Sequence, residues 1–215
     1  NCIERAVHER FYDKINKVYG TDKDEFYLSY LDDPIFKDRA KCLGKTLHQE
    51  DKKLTCLVFG LVEGLSLFSM FALLRSFQAN GINKIVTTVK GTKQSANDEL
   101  LHSEYLATTF QYYYGELGTS LDLDVEYYDK LLEQTYNVFD MEKFILTEVI
   151  KTEGFPTDEF NGVKLTEYFD LLKVLANVYF IRLGSYKLPF PEIETCALYD
   201  WFFTSTVAYV DTDFF

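Results

Sequence analysis

The sequence predicts an all-α protein, and three observations carry that expectation. Only four prolines occur in 215 residues, three of them in the last third. Long segments repeat apolar residues at three- and four-residue steps, which is the spacing of one helical face. No segment sustains the two-residue alternation of a strand, and no repeat of 20–50 residues is evident. Length alone allows one sizeable core and does not require a second domain.

The elements follow in order. Residues 2–19 place Ile3, Val7, Phe11, Ile15 and Val18 on one face and stop at Gly20-Thr21-Asp22. Shorter helical stretches cover residues 24–30 and 34–43. A strongly apolar helix is expected over residues 54–78, closed by Asn80-Gly81. Another starts near Ile82 and passes a polar break at Lys90-Gly91-Thr92-Lys93 into a long helix over residues 95–114. Helices over residues 123–153, with room for a break, and 164–183 complete the expected bundle. After Leu188-Pro189-Phe190-Pro191 the chain reads as an irregular aromatic tail, ending Asp211-Thr212-Asp213-Phe214-Phe215. This divides the sequence into a helical domain, residues 1–190, and a tail, residues 191–215.

Composition removes some functions. A formal charge of −12, from 34 acidic and 22 basic residues, argues against a nucleic-acid partner, because phosphate binding needs clustered Lys and Arg. There is no glycine-rich phosphate loop. The four cysteines are scattered without a CxxC pair, which favours reduced thiols and a cytoplasmic setting. The apolar run at residues 54–74 approaches membrane-spanning length but carries Glu63 in its middle. A carboxylate at the centre of a bilayer costs several kcal/mol, so a buried helix is expected and no membrane span.

The chemistry-bearing residues sit on these helices. Two of the three histidines follow a glutamate by about one turn: Glu4 with His8, and Glu99 with His102. Residues three or four apart share a helical face, so each pair can offer an oxygen and a nitrogen to one metal ion. One such pair arises easily by accident on a surface helix. Two pairs beside Glu63 are more specific, because a carboxylate in an apolar helix needs a partner. A buried arginine or a retained proton would also satisfy Glu63, but its own helix carries no basic residue until Arg75. Carboxylate and imidazole donors suit iron or manganese. Helical bundles bind two such ions by carboxylates and Glu-x-x-His pairs projecting inward from four helices.

At these residues the chain resembles the small subunit of class I ribonucleotide reductases. Val62-Glu63-Gly64-Leu65 with Phe68 and Phe71, and Ser95-Ala96-Asn97-Asp98-Glu99-Leu100-Leu101-His102-Ser103, look like two of the family's metal-ligand helices. His8-Glu9-Arg10-Phe11-Tyr12 resembles the segment in which the radical tyrosine follows a ligand histidine by four positions. Residues 177–190 resemble the helix and loop after the metal core, and Phe202-Phe203 through Tyr209 the start of the tail.

The resemblance implies a ferritin-like bundle with two metal ions, iron first, manganese or a mixed pair as alternatives. It implies Glu4, His8, Glu63, Glu99 and His102 as ligands and Tyr12 as the radical site. Tyr209 would relay the radical to the large subunit, where the tail docks. Phe11, Phe68 and Phe71 would wall the radical, or serve as ordinary core. A homodimer is expected from the family, acting in ribonucleoside-diphosphate reduction for DNA synthesis.

Three departures from the family pattern stand out. Glu4 precedes His8 by four residues instead of three, with Arg5 at the usual ligand position; Glu9 lies about 100° round the helix and is a poor substitute. Asn97 replaces the arginine of Arg-Asp-Glu, while Asp98 stays available to orient a ligand histidine. The helix that supplies the sixth ligand in the family would lie before Asn1, so either a separate N-terminal fragment of a divided subunit supplies it or the site differs from the usual one. Two other functions stay open: a ferritin-like oxidase or oxygenase using the same metals on a small molecule, and a non-catalytic fragment or iron-storage relative completed by a partner chain.

Overall fold

The computed structural model describes residues 2–29, 31–114, 125–152 and 158–204, with side chains from residue 6 onward in the first helix. The elements are α1 (Cys2–Tyr19), α2 (Asp24–Ser29), α3 (Pro34–Leu47), α4 (Lys52–Leu65) and α5 (Phe68–Arg75). A 3-10 turn (Ser76–Gly81) leads to α6 (Val86–Tyr114) and α7 (Val125–Thr152). Strands β1 (Glu159–Phe160) and β2 (Val163–Lys164) form a two-residue antiparallel hairpin before α8 (Leu165–Arg182) and α9 (Ala197–Thr204).

Helix α4 is the central element, packed on α6, α7 and α8. Its apolar residues face all three neighbours, and Leu57, Val58 and Leu61 are wholly buried. Each such side chain contributes about 1.5–3 kcal/mol on leaving water. The apolar run that approaches membrane-spanning length is therefore mostly core. Close approach depends on Gly60 and Gly64. A Cβ at Gly60 would lie 2.4 Å from the Tyr179 hydroxyl oxygen, and one at Gly64 would lie 2.6 Å from Ser103 Oγ. In that space Tyr179 donates to the Leu57 carbonyl at 2.6 Å, and Ser103 donates to the Gly60 carbonyl at 2.8 Å.

The architecture is all-α and matches the ferritin-like expectation, but several element boundaries differ. The helix expected over residues 54–78 is broken at Ser66-Leu67, then tightens into the 3-10 turn. Apolar periodicity runs unbroken through this point, so pattern alone could not locate it. A buried polar cluster meets the chain at the break. The Ser66 carbonyl accepts from Arg39 Nη2 at 2.8 Å, and the Ser66 and Ser69 hydroxyls donate to Glu142.

The break expected at Lys90-Gly91-Thr92-Lys93 does not exist; α6 runs through it. Val89, Thr92 and Ala96 are buried on one face, and Gly91 is a docking point and not a stop. The helix starts later than expected, because Asn83 and Ile85 adopt left-handed φ values of 46°. For the β-branched Ile85 that conformation is strained.

The tail is not wholly irregular: α9 packs on α8 and meets side chains of α5. Buried Arg75 stacks on Trp201 and Phe202 at 4.9 and 4.7 Å and donates to the Phe202 carbonyl. Phe68 packs against Phe71, Phe202 and Phe203, so Phe68 and Phe71 do ordinary core work.

Candidate metal centre

The site is assembled by α1, α4 and α6. Packing of α4 on α6 brings Glu63 beside Glu99 and His102, which occupy successive turns of one α6 face. His102 Nδ1 lies 2.9 Å from Glu99 Oε2 and 3.6 Å from Glu63 Oε2. One donor atom from each of the three falls within 4.8 Å of the others. Among the described residues this is the cluster with metal-binding spacing.

Helix α1 runs antiparallel along α6, and successive contacts fix its register. His8 Nε2 lies 3.0 Å from Asp98 Oδ2, Tyr12 donates to Ser95 Oγ at 3.2 Å, and the Phe11 ring lies over Gly91. Near the end of α1, the Tyr19 hydroxyl meets Thr88 Oγ1 at 3.3 Å. Asp98 thus engages the histidine of α1, while Glu99 turns toward α4. The aspartate next to the ligand motif carries out the orienting contact its position suggested. Because Nε2 is engaged, Nδ1 is the ring nitrogen of His8 left for a cation.

A cavity of about 610 Å³ opens over the cluster, lined by His8, Tyr12, Phe59, Glu63, Glu99 and His102 among others. Tyr105, on the turn after His102, also lines it and is 69% exposed. Of the sequence-predicted residues, the fold therefore brings Glu63, Glu99 and His102 into contact and sets His8 and Tyr12 on the same cavity. Glu4 is on α1, but its side chain lies outside the described residues, as does all of Tyr209. Glu9, set aside by helical geometry, also lines the cavity. At this width a residue 100° from His8 still faces it, which a helical wheel does not reveal.

The electrostatics test whether a cation fits. Burial first, then a hydrogen bond to Glu99 and that group's negative charge, together raise the Glu63 carboxyl to about 8 against the opposing pull of His102. Two carboxylates facing each other in a partly dry site hold a proton they would surrender to a cation. The donor set, two carboxylates and an imidazole with a second imidazole nearby, suits a hard-to-borderline ion such as iron or manganese. The residues fit the group.

Fold and site together define a helical bundle of the dimetal-carboxylate kind. The chain belongs to the family of the ribonucleotide reductase small chain, whose model matches residues 2–192. No curated protein matches it in sequence. Among solved structures it is similar to a Bacillus halodurans protein assigned to the class I ribonucleotide reductases. The TM-score is 0.74 at 20% identity, covering 93% of this chain and 70% of that one. At that identity the likeness speaks for the fold.

Proposed function

We propose that this chain is the radical-generating small subunit of a class I ribonucleotide reductase acting on ribonucleoside diphosphates. The observation that carries the reading is the meeting of Glu63, Glu99 and His102 from two helices, with Glu63 holding its proton up to about 8. Glu63, Glu99, His102, His8 and Glu4 would hold two metal ions, iron first and manganese or a mixed pair as alternatives. With dioxygen, such a centre supplies one-electron oxidation of a nearby tyrosine.

The chain's own residues prepare for that chemistry. Asp98 fixes the His8 imidazole so that Nδ1 is left for the metal. Glu63 keeps its proton in the metal-free site and releases it on binding. Tyr12 is the residue to be oxidised; its hydroxyl donates to Ser95 Oγ, and the Phe11 ring stands edge-on 5.0 Å away. The part of the tail beyond α9 would dock on the large subunit, with Tyr209 relaying the radical. The active form is a homodimer in the cytoplasm. The cavity beside Glu63 would receive a further carboxylate-bearing segment, in the chain or from a separate N-terminal fragment.

Loading the protein with ferrous iron, exposing it to oxygen and recording electron paramagnetic resonance tests this. A tyrosyl signal that disappears in Tyr12→Phe is expected. Two ions bound without any tyrosyl signal would overturn the radical role. The open cavity, with Phe59, Leu67 and Leu106 on its wall, favours one second reading: an oxidase that admits a small apolar molecule beside the same metals. That reading expects turnover of an added substrate and indifference to Tyr12→Phe.

A further inference from the structure

The break between α4 and α5 lies three residues beyond Glu63. In an unbroken helix the Ser66 carbonyl would accept from the amide four residues on. Here Arg39 Nη2, reaching in from α3, donates to it at 2.8 Å and to Ser66 Oγ at 3.2 Å. The same guanidinium donates from Nε to Glu142 Oε1 on α7 at 2.9 Å. Glu142 is wholly buried, and its two oxygens also accept from Ser66 Oγ at 2.8 Å and Ser69 Oγ at 2.6 Å.

Three donors therefore converge on one buried carboxylate, and two of them come from either side of the break. Leu67, at the N-cap of α5, offers no side-chain cap of its own. The first amide beyond α4, that of Ser66, still donates to the Val62 carbonyl at 2.9 Å, and Leu67 lines the cavity. The backbone on both sides of Glu63 is thus tied to the clamped residue.

We propose that Arg39 and Glu142 are positioning residues. Their ion pair, with Ser66 and Ser69, sets the α4–α5 break and thereby the direction in which Glu63 enters the metal site. Neither residue lines the cavity. The pair acts through the backbone: α3 and α7 grip Ser66, whose carbonyl accepts from Arg39 where α4 gives way to α5. A salt bridge retained only for stability could sit anywhere in the core. This one sits where a helix is interrupted within one turn of a candidate ligand. The inference rests on the metal reading above for its consequence, but not for the clamp itself.

Cobalt(II) titration of the 215-residue chain, followed by its visible absorption, reports both affinity and ligand geometry. Glu142→Ala should weaken binding by about tenfold and alter the band shape, as loss of a supporting partner does at metal sites. Ser69→Ala, a gentler change, should move both in the same direction. Glu142→Gln, which keeps an acceptor for Arg39, should restore most of the affinity. Ile150→Ala, on α7 away from the break, serves as a destabilised control and should leave the bands unchanged.

Hydrogen exchange over residues 61–72 supplies a readout that needs no metal. Glu142→Ala and Ser69→Ala should accelerate exchange there more than Ile150→Ala does. Unchanged cobalt bands and affinity in both clamp variants would overturn the proposal, as would exchange raised no more than in the control. If the wild-type chain binds no cobalt, the metal reading falls, and the exchange comparison still decides whether the clamp holds the break.

Discussion

Substituting Gly91 by alanine probes how α1 is held against α6. A Cβ at this position would lie 1.8, 2.2 and 2.3 Å from three carbons at the tip of the Phe11 ring. Carbon atoms in contact prefer about 3.5–4.0 Å, so ring and helix must part by roughly 1.7 Å. A phenyl tip cannot bend, so either Phe11 leaves its rotamer or α1 lifts. Lifting would carry the 3.0 Å His8–Asp98 and 3.2 Å Tyr12–Ser95 contacts beyond hydrogen-bonding range.

Overpacking of this kind costs about 1–3 kcal/mol. At 2 kcal/mol the melting temperature of a chain this size falls by about 4–8 °C. Gly91 lies inside a helix, where alanine is otherwise better than glycine by about 0.8–1 kcal/mol. The sign of the effect should therefore invert in a Phe11→Ala background, where Gly91→Ala becomes stabilising. Urea unfolding of the four proteins of this cycle, with hydrogen exchange on α1, measures it. Stabilisation by Gly91→Ala with Phe11 intact, or unaltered exchange over α1, would refute the account.

Further expectations concern the site itself. Because the folded protein raises the Glu63 carboxyl from 4.5 to about 8, the metal-free fold binds an extra proton in that window. Its stability should be greatest below pH 4.5 on this account, fall as pH rises toward 8, and level off above, apart from other groups. Glu63→Gln should flatten that slope in thermal melts while removing metal binding; a slope that survives assigns the proton elsewhere. Metal affinity should rise with pH up to about 8, with proton release visible by calorimetry in two buffers, since cation and proton compete for Glu63. Asp98→Ala should weaken metal binding by about 10–100-fold through the loosened His8 ring, with little loss of helicity by circular dichroism. Tyr209→Phe should spare a Tyr12 radical and abolish turnover with the large subunit; persistent turnover would remove Tyr209 from the relay.

Much of the site could be read locally. Glu99 and His102 lie one turn apart, and Asp98 lies next to them. Helical spacing therefore fixes which can share a face before any neighbour is known. Glu63 announced itself because its apolar surroundings leave a carboxylate unsatisfied. The break at Ser66-Leu67 was invisible for the opposite reason. The groups that meet it, Arg39 and Glu142, lie 27 and 76 residues away along the chain from Ser66. Gly91 is a similar case: a glycine beside lysines reads as a stop, whereas α6 runs through it and the missing Cβ leaves room for the Phe11 ring. The aromatic tail read as irregular because its rings have no helical partner until Arg75 supplies one.

The sequence by itself determined the helical class, the central apolar helix and the types of donor atom on each candidate ligand, because these depend on spacing along one helix. Only the tertiary structure decided which donors meet, which imidazole nitrogen Asp98 occupies, and where α4 is interrupted. Those depend on contacts between side chains far apart in sequence, and the pattern of one helix does not encode the surface of another.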